Sequence, residues 1–322
     1  MNRRFVSKIF LLAVIPLLFG HYVMSAAVNI TQQPEPKKYR YYLAACAFFQ
    51  NEAPYLKEWI EYHRIQGVEH FYLYNNGSTD NYLEVLTPYI AQNVVELTDW
   101  PCAPSVQAWM SDQMKAYNHC IKQCKDDVQW LAVIDIDEFI VPLDRENLVA
   151  FLKDYDSKPE VGAIKINWQL YGTSNLPCIP PGKLMIESLI FKAPWNYYPA
   201  ANGVMKMPKD IDNAQVKSVV RPRAVKKFQI HIVDEHYPGF YSIPREHIDA
   251  CRQPIQVDRI CINHYWTRAE DFLHTVKFAR RKRIMDEENL AVLMQKLQDL
   301  NHEKNTFIHK WLPELKRRLA VA

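Results

Sequence analysis

Tyr42 to Phe49 is an unbroken apolar run, the pattern of a strand covered on both faces. Pro54 then suits an early helical position, and Leu56, Trp59, Ile60 and His63 repeat at helical spacing. His70 to Tyr74 reads as a second strand and ends in Asn75-Asn76-Gly77-Ser78-Thr79-Asp80, a dense turn signal. A short helix over Tyr82 to Ile90 and a third strand over Val94 to Leu97 follow. Met110, Met114, Tyr117, Ile121 and Cys124 step by four and three, so a longer helix runs there until Asp126-Asp127. Trp130 to Ile134 completes a fourth buried strand. Strand and helix thus alternate from residue 42 to 134, which predicts right-handed crossovers and a Rossmann-like, mostly parallel sheet flanked by helices. Ligands of such sheets bind beyond the carboxyl ends of the strands. Gln50-Asn51-Glu52, Asn75 to Asp80, and Asp135-Ile136-Asp137 all fall at such ends.

After residue 140 the texture changes. Ile164, Ile166 and Trp168 alternate with Lys165 and Asn167, the pattern of a half-exposed strand. Prolines, aromatics and short β-like runs such as Val216 to Val220 and Phe228 to Val233 fill residues 170 to 262, extending the sheet and building an acceptor pocket. From Ala269 the chain reads helical and ends in a basic stretch, Lys316-Arg317-Arg318. The predicted division is a domain over 40–285 and a C-terminal helical extension over 286–322.

Composition narrows the class. With 322 residues, 48% hydrophobic and 23% charged, the chain can bury a sizeable core. A net charge of +3 and the absence of a recognition motif argue against nucleic acid. Arg3, Arg4 and Lys8 precede an apolar stretch from Ile9 to Phe19, and Ser25-Ala26-Ala27 supplies small residues for cleavage. This is the layout of a signal peptide over residues 1–28, or of a short signal anchor holding the protein to a membrane. Residues 29–39 read as a linker, and the expected destination is the secretory route or cell envelope. The seven cysteines cannot all pair with one another, and packing is the simplest role for Cys120 and Cys124.

The acidic segment carries the chemistry. Two carboxylates just past an apolar strand are costly unless something cationic compensates them. Asp135 and Asp137, on alternate positions where strand gives way to loop, suit one hard cation, Mn²⁺ or Mg²⁺. Such an ion bridges to substrate phosphates and stabilises a departing nucleoside diphosphate. The alternatives are a solvated strand end and a capping pair.

Phe48-Phe49-Gln50-Asn51-Glu52, Tyr55-Leu56-Lys57-Glu58-Trp59 and the Tyr74 to Asp80 turn resemble the opening of the GT-A glycosyltransferases. More narrowly, Trp130 to Phe139, Lys217-Ser218-Val219-Val220-Arg221-Pro222 and Ile262-Asn263-His264-Tyr265-Trp266-Thr267-Arg268 resemble glycosyltransferase family 92, a likeness spanning about residues 40 to 285. The resemblance implies a GT-A fold, a divalent metal, and a UDP-sugar donor such as UDP-galactose. It also implies transfer to a glycan or glycolipid hydroxyl, with inversion. By position, Asp135 faces the donor ribose, and Asp137 the metal with His264 as a distant second ligand. Asn51, Glu52, Asn75 and Asp80 line the nucleotide, while Lys217, Arg221 and Arg268 neutralise phosphate or acceptor charge. The stretch from Trp168 through Tyr171-Gly172-Thr173 to Glu187 departs from the family pattern.

Inversion calls for a base at the acceptor hydroxyl. Glu187, Asp234 and Glu235 are the acids in suitable context, and Glu187 is the choice; Glu138 is placed as an orienting group. Trp168, Tyr171, Trp195, Tyr197 and Tyr198 are candidates for stacking on sugar rings, although aromatic clusters usually pack a core. Two rival classes stand beside the enzyme: a non-catalytic carbohydrate-binding protein and a metal-dependent nucleotidyltransferase.

Overall fold

The computed structural model describes residues 39–103, 105–195, 212–246, 251–279, 282 and 286–321. The expected signal segment, most of the linker, and Tyr197 and Tyr198 lie outside them.

The first half is four strands with three intervening helices: β1 (Tyr41–Phe49), α1 (Ala53–Ile65), β2 (His70–Asn75), α2 (Tyr82–Ala91), β3 (Val95–Asp99), α3 (Val106–Gln123) and β4 (Val128–Val133). β1 pairs in parallel with β2 on one side and β4 on the other, which is why its sequence is apolar throughout. Leu43, Ala45, Ala47 and Phe49 share a core with Leu56, Trp59 and Ile60 of α1. The alternate residues Ala44, Cys46 and Phe48 share another with Ala116, Tyr117 and Cys120 of α3. Cys120 and Cys124 therefore serve as packing groups beside Cys46. Ser105 accepts the Ala108 N–H at 3.0 Å to start α3. Beyond the end of α1, Gly67 adopts φ +94, and Val149 crowds the place a side chain would take.

The second half supplies β5 (Glu138–Pro142), β6 (Val161–Leu170), β7 (Phe191–Lys192), β8 (Val216–Val220), β9 (Val225–Phe228), β10 (Val233–His236), β11 (Tyr241–Ile243), β12 (Ile260–His264) and β13 (Glu303–Lys304). The main sheet runs β3-β2-β1-β4-β8-β6-β12-β5, with β11 on the flank of β6. Only β8 and β5 run against the rest, so the sheet is mostly parallel, as expected. Two readings need correction. β6 is a central strand, with Asn167 fully buried, because β8 and β12 cover both its edges. Phe228 to Val233 is a turn: Gln229 N–H donates to Ile232 O at 2.9 Å between the paired residues Phe228 and Val233.

The C-terminal helices Glu287–Gln298 and Leu312–Val321 share the main core through Leu290, Leu293, Leu297 and Leu315. The sheet also curls back onto α1: Trp59 Nε1 donates to Glu138 O at 3.0 Å and Tyr62 OH to Ile140 O at 2.9 Å. The last strand of the sheet is thereby fastened to the first helix.

His63 of α1 is fully buried, which holds its imidazole down to about 3 despite the bond to Trp59 O. In the unfolded chain it takes up a proton near pH 6.5, so its contribution to stability is lost as pH falls from there toward 3. Thermal melts should show the wild type losing about 2 kcal/mol between pH 7 and pH 5 relative to His63→Gln. Parallel pH curves for the two proteins would remove His63 as the cause.

Candidate active site

β4 ends at Val133, and Ile134 still donates its N–H to Cys46 O at 3.1 Å. The chain then turns through Asp135-Ile136-Asp137, and Glu138 N–H closes the turn on Asp135 O at 3.1 Å. This turn, the ends of β1 and β2, and His264 at the end of β12 all lie at one edge of the sheet. Pleating brings further side chains to it. Lys217 is opposite Ile166, His264 is opposite Glu138, and Trp168 is opposite Ile262, so Lys217, Trp168, His264 and Glu138 share one face.

Asp135 is held on both oxygens. Tyr117 OH donates to Oδ1 at 2.9 Å, Gln113 Nε2 donates to it at 3.2 Å, and Lys217 Nζ meets Oδ2 at 2.8 Å. Burial pushes this carboxyl up, but the Lys217 ammonium outweighs it and the net effect is downward. The side chain remains 31% exposed, so part of the carboxylate faces the cleft. Lys217 is fully buried and stands 3.7 Å from Glu138 Oε2. Glu138 accepts the Asp135 N–H at 2.8 Å. Burial drives the Glu138 carboxyl up to about 8, beyond what Lys217 offsets, and Asp135 adds to the rise.

Asp137 is buried, with 6% exposed. Its Oδ1 lies 3.5 Å from His264 Nε2 and its Oδ2 lies 3.1 Å from Lys277 Nζ. Burial opposes its ionisation, yet the Lys277 ammonium and His264 keep the carboxyl well below the usual range. Around it, Arg268 is fully buried, ion-paired to Glu52, and set between the rings of Tyr55 at 3.8 Å and Phe272 at 4.2 Å. Arg268 has φ +51, a left-handed backbone that costs a non-glycine residue about 1 kcal/mol and that these contacts hold in place. The Trp168 ring lies against His264 at 4.3 Å and His231 at 5.4 Å.

The nucleotide-side candidates interlock. Asn51, with φ +56, donates its N–H to Ser78 Oγ at 2.9 Å and accepts from Thr79 N–H at 2.7 Å. Asp80 accepts the Ala53 N–H at 2.8 Å and so caps α1, while Asn75 donates to Asp99 at 2.9 Å. These bonds tie the loops after β1, β2 and β3 into one rim.

Two expected residues fall elsewhere. Arg221, expected at the phosphates, lies at the opposite edge of the sheet, because its N–H bonds Gly162 at the start of β6. Its guanidinium stacks on Trp130 at 4.0 Å and donates to Tyr155 O at 2.7 Å, which makes it a packing residue. Glu187, expected as the base, pairs with Lys316 at 2.7 Å and Lys183 at 3.0 Å. Burial pushes against ionisation there, but the two ammonium groups hold the carboxyl down at about 2, where it accepts a proton poorly. Trp195 is exposed, whereas Tyr171 is buried against Tyr265. Sequence reasoning missed Gln113 and Lys277 and took Tyr117 for core; only the helical phase shared by Gln113 and Tyr117 marks them in the sequence.

Among the described residues no group of three or more His, Cys, Asp and Glu side chains can hold a metal ion. Asp137 and His264 nevertheless offer one oxygen and one nitrogen side by side, which fits an ion that takes its other ligands from substrate phosphates and water. A cavity of about 410 Å³ is elsewhere: Lys165 and Val216, which line it, point to the opposite face of β6 and β8.

Fold and cluster place the chain among α/β proteins that gather their polar residues beyond the ends of parallel strands. A match to glycosyltransferase family 92 runs over residues 41–309, and the chain belongs to that family. A family 92 protein of Oryza sativa subsp. japonica is 29% identical over 164 residues, covering 48% of this chain and 27% of that protein. One from Ricinus communis is 24% identical over 252 residues, covering 76% of this chain and 39% of the relative. The chain thus spans well under half the length of these relatives. Among solved structures, S. aureus TarS 1–349 with UDP aligns at a TM-score of 0.33 and 12% identity, over 56% of this chain and 47% of that one. Glucosyl-3-phosphoglycerate synthase from Mycobacterium tuberculosis, solved with Mn²⁺, UDP and glucosyl-3-phosphoglycerate, aligns at 0.28 and 13%, over 40% and 44%.

Replacing Lys217 with Met removes the ammonium shared by Asp135 and Glu138 and should cost roughly 3 kcal/mol in chemical denaturation. Because the raised Glu138 carboxyl must then ionise without a partner, the deficit should grow from pH 6 to pH 9. Adding Glu138→Gln should restore part of it.

Proposed function

We propose that the protein is a metal-dependent, inverting glycosyltransferase that moves a hexose, galactose in the first instance, from a UDP-sugar to a glycan or glycolipid hydroxyl. Family membership supports the reaction class. The observation that carries the metal dependence is the Asp137–His264 pair at the strand-end edge, with Lys277 on Asp137 and the buried Lys217 and Arg268 paired to Asp135 and Glu52. Donor sugar and inversion follow the family resemblance.

Asp137 and His264 would hold Mn²⁺ or Mg²⁺, which when bound supplies positive charge to the departing diphosphate. The residues of the chain do the rest. Asp135, fixed by Tyr117, Gln113 and Lys217, presents its exposed part to the ribose hydroxyls. The rim of Asn51, Asn75 and Asp80 positions the nucleotide, and Arg268 brings charge to the phosphates. The Trp168 ring, packed on His264, bounds the place where the sugar lies. The basic, apolar and small-residue order of the first 28 residues supports export or envelope attachment. Among the described residues no helix is long and apolar enough to cross a membrane.

Calorimetry with UDP-, GDP- and CMP-sugars, with and without Mn²⁺, tests the reading. UDP-sugars should bind tightest and only with the ion, and chelator should abolish transfer. Asp137→Asn should lower kcat by a factor on the order of a thousand while the circular dichroism stays native. Full transfer in chelator would sink the metal role, and transfer from GDP- or CMP-sugars alone would sink the donor assignment.

A further inference from the structure

Lys277 lies on the wide π-helical turn Leu273–Phe278, a rare conformation that re-aims side chains and recurs at functional sites. Its side chain is 14% exposed and its ammonium reaches Asp137 Oδ2 at 3.1 Å, with the Trp266 ring centre 5.0 Å away and that of Phe272 at 5.8 Å. The two oxygens of Asp137 are thus divided between a histidine and a fixed cation. The local charges already balance: Asp137 and Glu52 against Lys277 and Arg268. A divalent ion arriving alone adds two positive charges to a neutral, largely dehydrated cluster, and it meets the ammonium at the same carboxylate. A nucleotide-sugar diphosphate carries two negative charges, so ion and donor together restore neutrality where the ion alone does not.

Resting on the metal-dependent reading above, we propose that Lys277 is a built-in rival of the divalent ion for Asp137. The ammonium keeps the metal site weak until a nucleoside diphosphate arrives, and then passes from Asp137 to the phosphate oxygens. Metal and donor binding become mutually dependent, since whichever relieves the rivalry favours the other to the same extent. The device stops the enzyme from sequestering free metal and ties its full assembly to the donor.

The test is Mn²⁺ affinity, read by electron paramagnetic resonance on the full chain without nucleotide and with saturating UDP as the probe. Lys277→Met, which keeps the apolar stem and removes the charge, should bind Mn²⁺ about five-fold or more tightly than wild type without nucleotide. UDP should then raise its Mn²⁺ affinity less than it raises that of the wild type. Lys277→Arg, which keeps the charge, should behave as wild type. Should Lys277→Met fail to fold by circular dichroism, Lys277→Gln makes the same comparison with a neutral donor to Asp137. Unchanged or weaker Mn²⁺ binding in the neutral variant overturns the role of Lys277 and leaves the metal-dependent reading standing. Failure of the wild type to bind Mn²⁺ even with UDP overturns both.

Discussion

Three acids stand within four residues where β4 stops, and each must be compensated in a part of the protein that water barely reaches. That requirement organises the site. Lys217 answers Asp135 and Glu138 from an antiparallel strand, and Lys277 from beyond β12 answers Asp137, next to His264 at that strand's end. None of these cations is near the acids in sequence. The order of strands in the sheet, with β8 slotted beside β4 and β12 beside β6, brings them to one edge. The sheet is thus the device that makes a dense acidic turn tolerable.

The two aspartates are treated differently. Asp135 is saturated by neutral donors and one ammonium and keeps a fixed orientation with part of its carboxylate open. Asp137 has a histidine on one oxygen and a lysine on the other, the partner that the proposal has it exchange for a metal ion. One aspartate is therefore built to present a fixed shape, the other to change company. Glu138 separates these behaviours by holding the backbone of the turn through the Asp135 N–H.

Much of the first half was legible in the sequence, because β1, β2 and β4 are parallel strands covered on both faces and so carry continuous apolar runs. The placement of the polar clusters at their ends followed from topology alone. The second half was harder. β6 alternates in sequence as if half-exposed, yet Asn167 is satisfied inside, where it donates to Asn213 O at 3.1 Å. Charged residues misled most. Lys217 lies near the start of β8 and Arg221 just past its end, so Lys217 reaches Asp135 while Arg221 stacks on Trp130 at the far edge. Glu187 pairs with Lys183 four residues away and with Lys316, and no local pattern reveals the second, since it comes from the final helix. Lys277 gave no signal at all, for its importance rests on a helical turn of unusual width.

The two ring-to-backbone bonds that fasten Trp59 and Tyr62 to β5 have a mechanical meaning. One of them ends on the carbonyl of Glu138, the residue that shapes the acidic turn, so the first helix and that turn cannot loosen independently. A helix laid down among the earliest residues of the domain acts as the splint for chemistry assembled from residues near its end. Until that late portion of the chain is folded, the splint has nothing to hold, and the acids have no cations to meet.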